Sequence, residues 1–330
     1  MRALVYTGPN SLSVRDEPDP VSREGEVVVR VAAVGICGSD MHAYHGFDSR
    51  RPAPLVLGHE AAGVVASGPG TGRRVAVNPL VTCGTCENCE VGRPHLCPDR
   101  QVLSMPPRPG AFAELVRVPE RNLVAVPDGM DLATAALAEP VAVTYHAVHL
   151  SARLLDRPLT GCRCVVLGGG AIGLAAALVL RLMGAAEIRV GEPNPGRRAT
   201  LARSGLDAYA PGEANEPALS TIDLVLDAVG LAATRAAACR MVKPGGVIVH
   251  AGLLPGQDGL DIRRITLQEI VVTGTYCYTP ADFRESVAVL ASGRIGTLDW
   301  VEERPLDAGP AAFRDLDSGA TGAAKILLRP

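Results

Sequence analysis

Residues 163–185 read RCVVLGGGAIGLAAALVLRLMGA: a short apolar run, a glycine cluster, then an apolar helical stretch. A strand that is apolar on both faces and leads at once into a helix belongs to a parallel sheet covered on its two sides. The pattern repeats downstream in EIRVGEPNPGRRATLARSGL, in TIDLVLDAVG with LAATRAAACRMV, and in KPGGVIVHAG and EIVVTGTY. A doubly wound α/β unit is therefore expected over 148–280.

The N-terminal part has a different texture. ALVYTG, EVVVRVAAVGI, AAGVVAS and RRVAVNP are short strand-like runs broken by Gly and Pro, an all-β signature. After Pro280 come one amphipathic helix, PADFRESVAVLASG, and a last strand-like AAKILLRP. The order β-rich, α/β, β-rich indicates that the tail rejoins the first unit, so the expected domains are 1–147 with 281–330, and 148–280. A chain of 330 residues suits two cores of ordinary size.

Gly168, Gly170 and Gly173 form GxGxxG between the strand and its helix. In that context the first glycine makes the tight turn, the second admits a pyrophosphate, and the third lets helix and strand pack closely. With Ala171 and Ile172 they form the expected cofactor-binding turn, the helix N-terminus facing the phosphates. Glu192, nineteen residues past Gly173, is placed to bond an adenosine ribose diol and to repel a 2′-phosphate. NAD is thus expected over NADP. Arg197 and Arg198 follow closely enough to bind a phosphate, which keeps NADP as second choice.

Cys83, Cys86, Cys89 and Cys97 supply four of the nine cysteines within fifteen residues. Four thiolates make a closed tetrahedral zinc site, structural because no position is left for substrate. An iron–sulfur cluster is the alternative, disfavoured by the missing CxxxCP ending; unliganded buried thiols are the third choice. A second donor set, Cys37, His59, Glu60 and Glu139, mixes S, N and O on separate turns, as suits an open catalytic zinc. Taken singly, His59 reads as a hydrogen-bonded core histidine and Cys37 as a small buried residue.

Composition bounds the rest. A net charge of −3 gives no basic footprint for nucleic acid. The most apolar stretch is interrupted by Arg181 and is too short to span a bilayer. The N-terminal apolar run breaks at Tyr6-Thr7-Gly8-Pro9, too early for a signal peptide. A soluble cytoplasmic protein with no membrane partner is expected.

GICGSD around Cys37, GHE at 58–60, the four-cysteine lobe, EP at 139–140, GGGAIG and KPGG near 245 together resemble the zinc-dependent medium-chain dehydrogenases, specifically the polyol (sorbitol-like) branch, over essentially the whole chain. The resemblance implies a GroES-like β-rich catalytic domain from both chain ends, a Rossmann NAD-binding domain between them, an active site in the cleft and two zinc ions per chain. Carried over, Cys37 and His59 are catalytic zinc ligands. Glu60 is a ligand in the polyol branch, whereas Glu139 stands where the alcohol-dehydrogenase branch has a second cysteine, so both are candidates for the third ligand. Asp40 orients the zinc histidine; Ser39 and His42 form a proton relay. His146 is expected to pack, and His45 and His95 to be surface residues.

The implied substrate is a polyol, sugar alcohol, cyclitol or aminocyclitol, with Tyr44, Tyr276 and Tyr278 lining its pocket. Glu139-Pro140 disfavours threonine dehydrogenases, which tend to carry aspartate there. Cys277-Tyr278 stands where sorbitol enzymes have an arginine–tyrosine pair. Two other readings stand beside this one: a threonine or phosphorylated-sugar dehydrogenase of the same fold, in which Arg50 and Arg51 would clamp an anion, and a non-catalytic redox sensor that binds zinc and nucleotide. The family implies a homodimer or homotetramer.

Overall fold

A computed structural model describes residues 1–330. Six strands form a parallel sheet in the order Asp207–Tyr209, Glu187–Gly191, Arg163–Leu167, Ile222–Asp227, Val242–His250, Val271–Gly274, with every neighbouring pair parallel. The chain winds from Arg163–Leu167 to one edge and restarts on its other side at Ile222–Asp227. That reversal opens a crevice at the carboxyl ends of these two strands, where open α/β sheets bind ligands. Helices cover both faces, so Ile222–Asp227 is buried along its whole length. The helix Ala171–Leu182 buries every residue from Gly173 to Leu180.

The other large sheet is mostly antiparallel, and its spine is Glu26–Gly35. That strand pairs with Glu60–Ser67 on one side and with Lys325–Arg329 on the other, while Leu115–Pro119 runs along its first half. The last strand of the chain thus lies against one of the first. This is the α/β architecture expected, a GroES-like β-rich part and a Rossmann sheet. No helix is long and apolar enough to cross a membrane.

The helix Ala138–Leu154 joins the two parts. Its buried face shares one continuous core with Ala33, Ala62 and Leu327 of the antiparallel sheet and with Val166, Leu224 and Val247 of the parallel sheet. Its first turn, which carries Glu139, therefore lies at the seam between the two sheets.

The tail is anchored by aromatic packing. Phe313, fully buried, meets Phe112 edge-on at 5.9 Å between ring centroids and Tyr44 at 5.4 Å. Tyr44, expected at a pocket, is instead a core residue with 6% exposure. Removing a buried phenyl ring costs about 3–5 kcal/mol in transfer and cavity terms. Phe313→Ala should lower the urea midpoint of unfolding by the equivalent of that loss, as followed by circular dichroism.

Candidate active site and metal centres

Gly35 and Glu60 face each other where Glu26–Gly35 and Glu60–Ser67 pair antiparallel. The residues that follow the first strand and precede the second therefore meet at one end of the sheet. There the Cys37 thiol, the His59 ring and the Glu60 carboxylate present ligand atoms within 4.8 Å of one another. A four-coordinate zinc, with ligands at about 2.0–2.3 Å, fits such a mixed S, N, O set.

Cys37 caps the helix Gly38–Tyr44, and its backbone N–H donates to Asp40 Oδ2 at 3.0 Å. The other oxygen of Asp40 lies 3.5 Å from His59 Nδ1, and the Ser104 hydroxyl lies 3.4 Å from the same nitrogen. Both contacts fall on Nδ1, leaving Nε2 for a ligand, which is how a carboxylate fixes a metal histidine's tautomer. Burial pulls the His59 pKa down, but Asp40 and Cys37 together hold it well above the ordinary histidine value.

Glu60 is held by a residue that sequence reading missed. Lys325 Nζ lies 2.7 Å from both Glu60 oxygens and donates to the Ile36 carbonyl at 2.8 Å, with both side chains buried. Gly35 makes room for this pair, because a Cβ there would lie 1.9 Å from Glu60 Oε2. Burial opposes the charge on Lys325, yet Glu60, and Cys37 beyond it, raise its pKa above the usual lysine value. The only trace in the sequence is rarity, since in a chain of 32 basic residues only Lys243 and Lys325 are lysines, and rarity alone marks neither as buried.

Glu139 stands outside the three-atom group. Its Oε1 accepts a bond from the Tyr278 hydroxyl at 2.9 Å. Burial above all, with Glu60 adding, pushes the Glu139 pKa up to about 7 against the pull of His59 and Tyr278. Tyr278, expected as a pocket wall, is buried and touches this carboxylate instead. Ser39 and His42 lie three residues apart on the helix Gly38–Tyr44, hence on one face. Burial lowers the His42 pKa below the ordinary histidine value, with Asp48 opposing, so its ring is neutral at pH 7 and can accept a proton.

In the cysteine lobe the sulfurs of Cys83 and Cys89 are 3.8 Å apart, and Cys86–Cys89 and Cys97–Cys83 are each 3.5 Å apart. These are far beyond a disulfide bond. They match the spacing of about 3.8 Å that four thiolates at about 2.3 Å from one zinc ion require. The backbone N–H groups of Thr85 and Cys86 donate to Cys83 Sγ and draw its pKa down to about 6, which favours the metal-binding thiolate. His95, expected on the surface, is buried within the lobe segment against the His146 ring, and burial pulls its pKa down to about 4. His146 pairs with Asp282 at 3.0 Å, and His45 with Asp317 at 2.9 Å.

The glycine turn lies at the crevice of the parallel sheet. Gly168 has φ +98°, and a Cβ there would meet Val229; a Cβ on Gly173 would lie 1.8 Å from the Gly168 carbonyl. Gly170 caps the helix and faces open space, with nothing within 4 Å of a Cβ built on it. Ala171 and Ile172 open the helix, so their amides are among those without an intrahelical acceptor. A dinucleotide pyrophosphate fits that opening. Glu192 is buried, its oxygens accepting from the Gly169 N–H at 2.7 Å and the Asn194 N–H at 2.8 Å. Arg198 folds back onto the Glu192 and Pro193 carbonyls, and Arg197 lies in the first turn of the helix Pro195–Arg203.

Residues 23–128 match the alcohol dehydrogenase GroES-like domain and residues 171–292 the zinc-binding dehydrogenase family. The chain is 33% identical to 2-dehydro-3-deoxy-L-galactonate 5-dehydrogenase of Pseudoalteromonas atlantica, with 98% of this chain and 97% of that protein covered. The chain belongs to the zinc-dependent medium-chain dehydrogenases. Sorbitol dehydrogenase of Bacillus subtilis is 32% identical over 92% of this chain and 90% of its own, consistent with the polyol branch. The crystal structure, with NADP bound, of a protein of Sinorhizobium meliloti described as a zinc-binding dehydrogenase superposes with a TM-score of 0.90 at 28% identity, covering 100% and 99% of the two chains. The protein is an enzyme, an oxidoreductase of a family that uses zinc and a nicotinamide cofactor.

Two outcomes follow from this electrostatics. In chelator-treated protein, Lys325→Met strands Glu60 as a buried unpaired carboxylate, so the variant should lose about 3–5 kcal/mol in urea unfolding relative to the chelator-treated parent, and adding Glu60→Gln should recover part of it. In chelator-treated protein, Glu139 ionises near 4.5 when unfolded but only about 7 when folded. A raised carboxyl pKa makes the native state lose stability as pH rises through that window. The Tm advantage of Glu139→Gln should therefore grow between those two pH values and level off above them.

Proposed function

We propose that this enzyme oxidises a secondary alcohol of a polyhydroxylated substrate with NAD, at a zinc held by Cys37, His59 and Glu60. The observation that carries the reading is the meeting of a thiol, an imidazole and a carboxylate within 4.8 Å at the end of the β-rich sheet, apart from the four-sulfur lobe. Two unlike donor sets support two zinc ions per chain, the closed one structural and the open one catalytic. The relatives from P. atlantica and B. subtilis are named for a sugar acid and for a sugar alcohol; both are polyhydroxylated.

Zinc at this group would supply acidification of a substrate hydroxyl, and NAD in the glycine-rich crevice would supply the hydride acceptor. The chain's own residues do the rest. Asp40 holds the His59 tautomer, and Lys325 compensates the Glu60 charge. Glu139 adds a carboxylate beside the group, kept in place by Tyr278. Ser39 takes the proton from the substrate hydroxyl, and the neutral His42 ring releases it to solvent. Gly168, Gly170, Ala171, Ile172 and Gly173 seat the pyrophosphate. Glu192, with both oxygens fixed by amides, puts a carboxylate at the adenosine ribose and supports NAD over NADP, while Arg197 flanks that ribose. The reading takes 1–147 with 281–330 as the zinc-binding domain and 148–280 as the NAD domain, in a cytoplasmic homodimer or homotetramer.

The test is NADH appearance at alkaline pH over a panel of hexitols, pentitols, cyclitols and sugar acids, with simple secondary alcohols for contrast. Turnover should be confined to the polyhydroxylated compounds. Cys37→Ser should lower it by roughly 100-fold or more while bound-NADH fluorescence is unchanged. Undiminished turnover in that variant would remove Cys37 from the metal site.

A further inference from the structure

An open cavity of about 280 Å³ is lined by Arg50, Arg100, Gln101, Met105 and Tyr276, among others. Two chain segments connect its lining to the metal-ligand group. Met105 follows Ser104, whose hydroxyl touches His59; Tyr276 stands two residues before Tyr278, which holds Glu139. Two chain segments thus run from the ligand group to this cavity, the path along which a substrate with one hydroxyl at the ligand group would extend.

The charges of its arginines differ in availability. Arg50 already makes two bonds to Asp48, at 2.8 and 2.9 Å. Arg51 is buried, donates to the Ser39 carbonyl, lies 3.8 Å from the same Asp48 and does not line the cavity. Arg100 has no carboxylate partner. Its Nη1 donates to the Cys97 carbonyl at 2.9 Å, its Nε points to the Tyr276 hydroxyl at 3.4 Å, and its guanidinium lies 5.0 Å over the Tyr276 ring. The side chain is thus fixed on two sides while Nη2 stays free. A guanidinium held in place loses little freedom when it takes an oxyanion, and its forked donors match a carboxylate. The Tyr276 hydroxyl, accepting from Arg100, keeps its own proton to donate to the same anion.

We infer that this cavity binds the carboxylate of a polyhydroxy acid through Arg100 and Tyr276, so that the preferred substrate is a sugar acid and not the neutral polyol. The inference rests on the reading that Cys37, His59 and Glu60 support alcohol oxidation; it adds which end of the substrate is recognised. One uncompensated guanidinium with one phenol suits a monoanion. A phosphate dianion calls for a second free cation, and Asp48 occupies Arg50.

The experiment compares kcat/KM of the zinc-replete enzyme with NAD for hexonates, the hexitols of the same configuration and hexitol 1-phosphates. At least one hexonate should exceed its hexitol by roughly 10- to 100-fold, the worth of a charged hydrogen-bonded pair. Arg100→Gln should abolish that preference while changing hexitol kcat/KM by less than about threefold. Calorimetric binding of the hexonate to the NADH complex should be lost in the same variant and weakened by salt. Because Arg100 also holds the Cys97 carbonyl, zinc content is measured on each variant. If Arg100→Gln loses metal, Tyr276→Phe decides, and a selective fall for the hexonate is the supporting result. Equal kcat/KM for hexonates and hexitols, a parallel fall for both in these variants, or a preference for the phosphates overturns the carboxylate site and leaves the polyhydroxylated reading standing. Oxidation of none of the three classes overturns both.

Discussion

A single ammonium group organises the candidate site. Lys325 Nζ bonds Glu60 and the Ile36 carbonyl, and so ties the last strand of the chain to the two turns that carry His59 and Cys37. The pair is buried, and desolvating two charges consumes most of what their attraction supplies. Its consequence is therefore positional. With Gly35 leaving the space empty and the ammonium filling the gap between the turns, the Glu60 carboxylate has one place to go. The strand Lys325–Arg329 delivers that charge to the site from the far end of the sequence, which gives the return of the tail a chemical role beyond covering the sheet.

The electrostatics around that pair suit an open cationic site. Lys325 balances Glu60, and Asp40 balances a protonated His59. Glu139 has only a phenol bonded to it, so its neutral form persists to about pH 7. A dication among these groups would favour the ionised Glu139 and the neutral His59, reversing both tendencies. The cysteine lobe is built on another principle. Its four sulfurs already lie within 4.8 Å of one another, three of the pairs at the spacing a tetrahedral zinc requires, and backbone N–H groups stabilise the thiolate of Cys83.

The features legible in the sequence were those encoded locally. Runs such as CVVL and IDLVLD are apolar on both faces because helices cover both sides of a parallel sheet. GxGxxG could be read because its spacing sits between a strand and a helix that the local sequence already marks, and because Gly173 answers a contact five residues back, its approach to the Gly168 carbonyl. The cysteine spacing constrains one short loop. What was not legible depends on residues brought together from far along the chain. Lys325 meets Glu60 across 265 positions, and no periodicity in AAKILLRP marks that lysine as buried. The direction of a tyrosine depends on packing, so Tyr44 turned into the Phe313 core and Tyr278 onto Glu139, leaving Tyr276 at the cavity. His95 was taken for a surface residue because the His146 ring that packs against it comes from a helix later in the chain. Arg100 sat unnoticed next to the lobe because an unpaired charge is defined by partners that only the fold reveals.

The most direct test of the two-site account is zinc K-edge X-ray absorption, with metal content measured on the same purified enzyme. Two zinc ions per chain whose combined ligands include five sulfurs, four from the lobe and one from Cys37, with nitrogen or oxygen donors for the rest, is the result expected from the donor sets. Loss of one zinc and one sulfur in Cys37→Ser would assign the fifth. One zinc per chain in an all-sulfur environment would contradict the account, because the group at Cys37, His59 and Glu60 would then hold no metal.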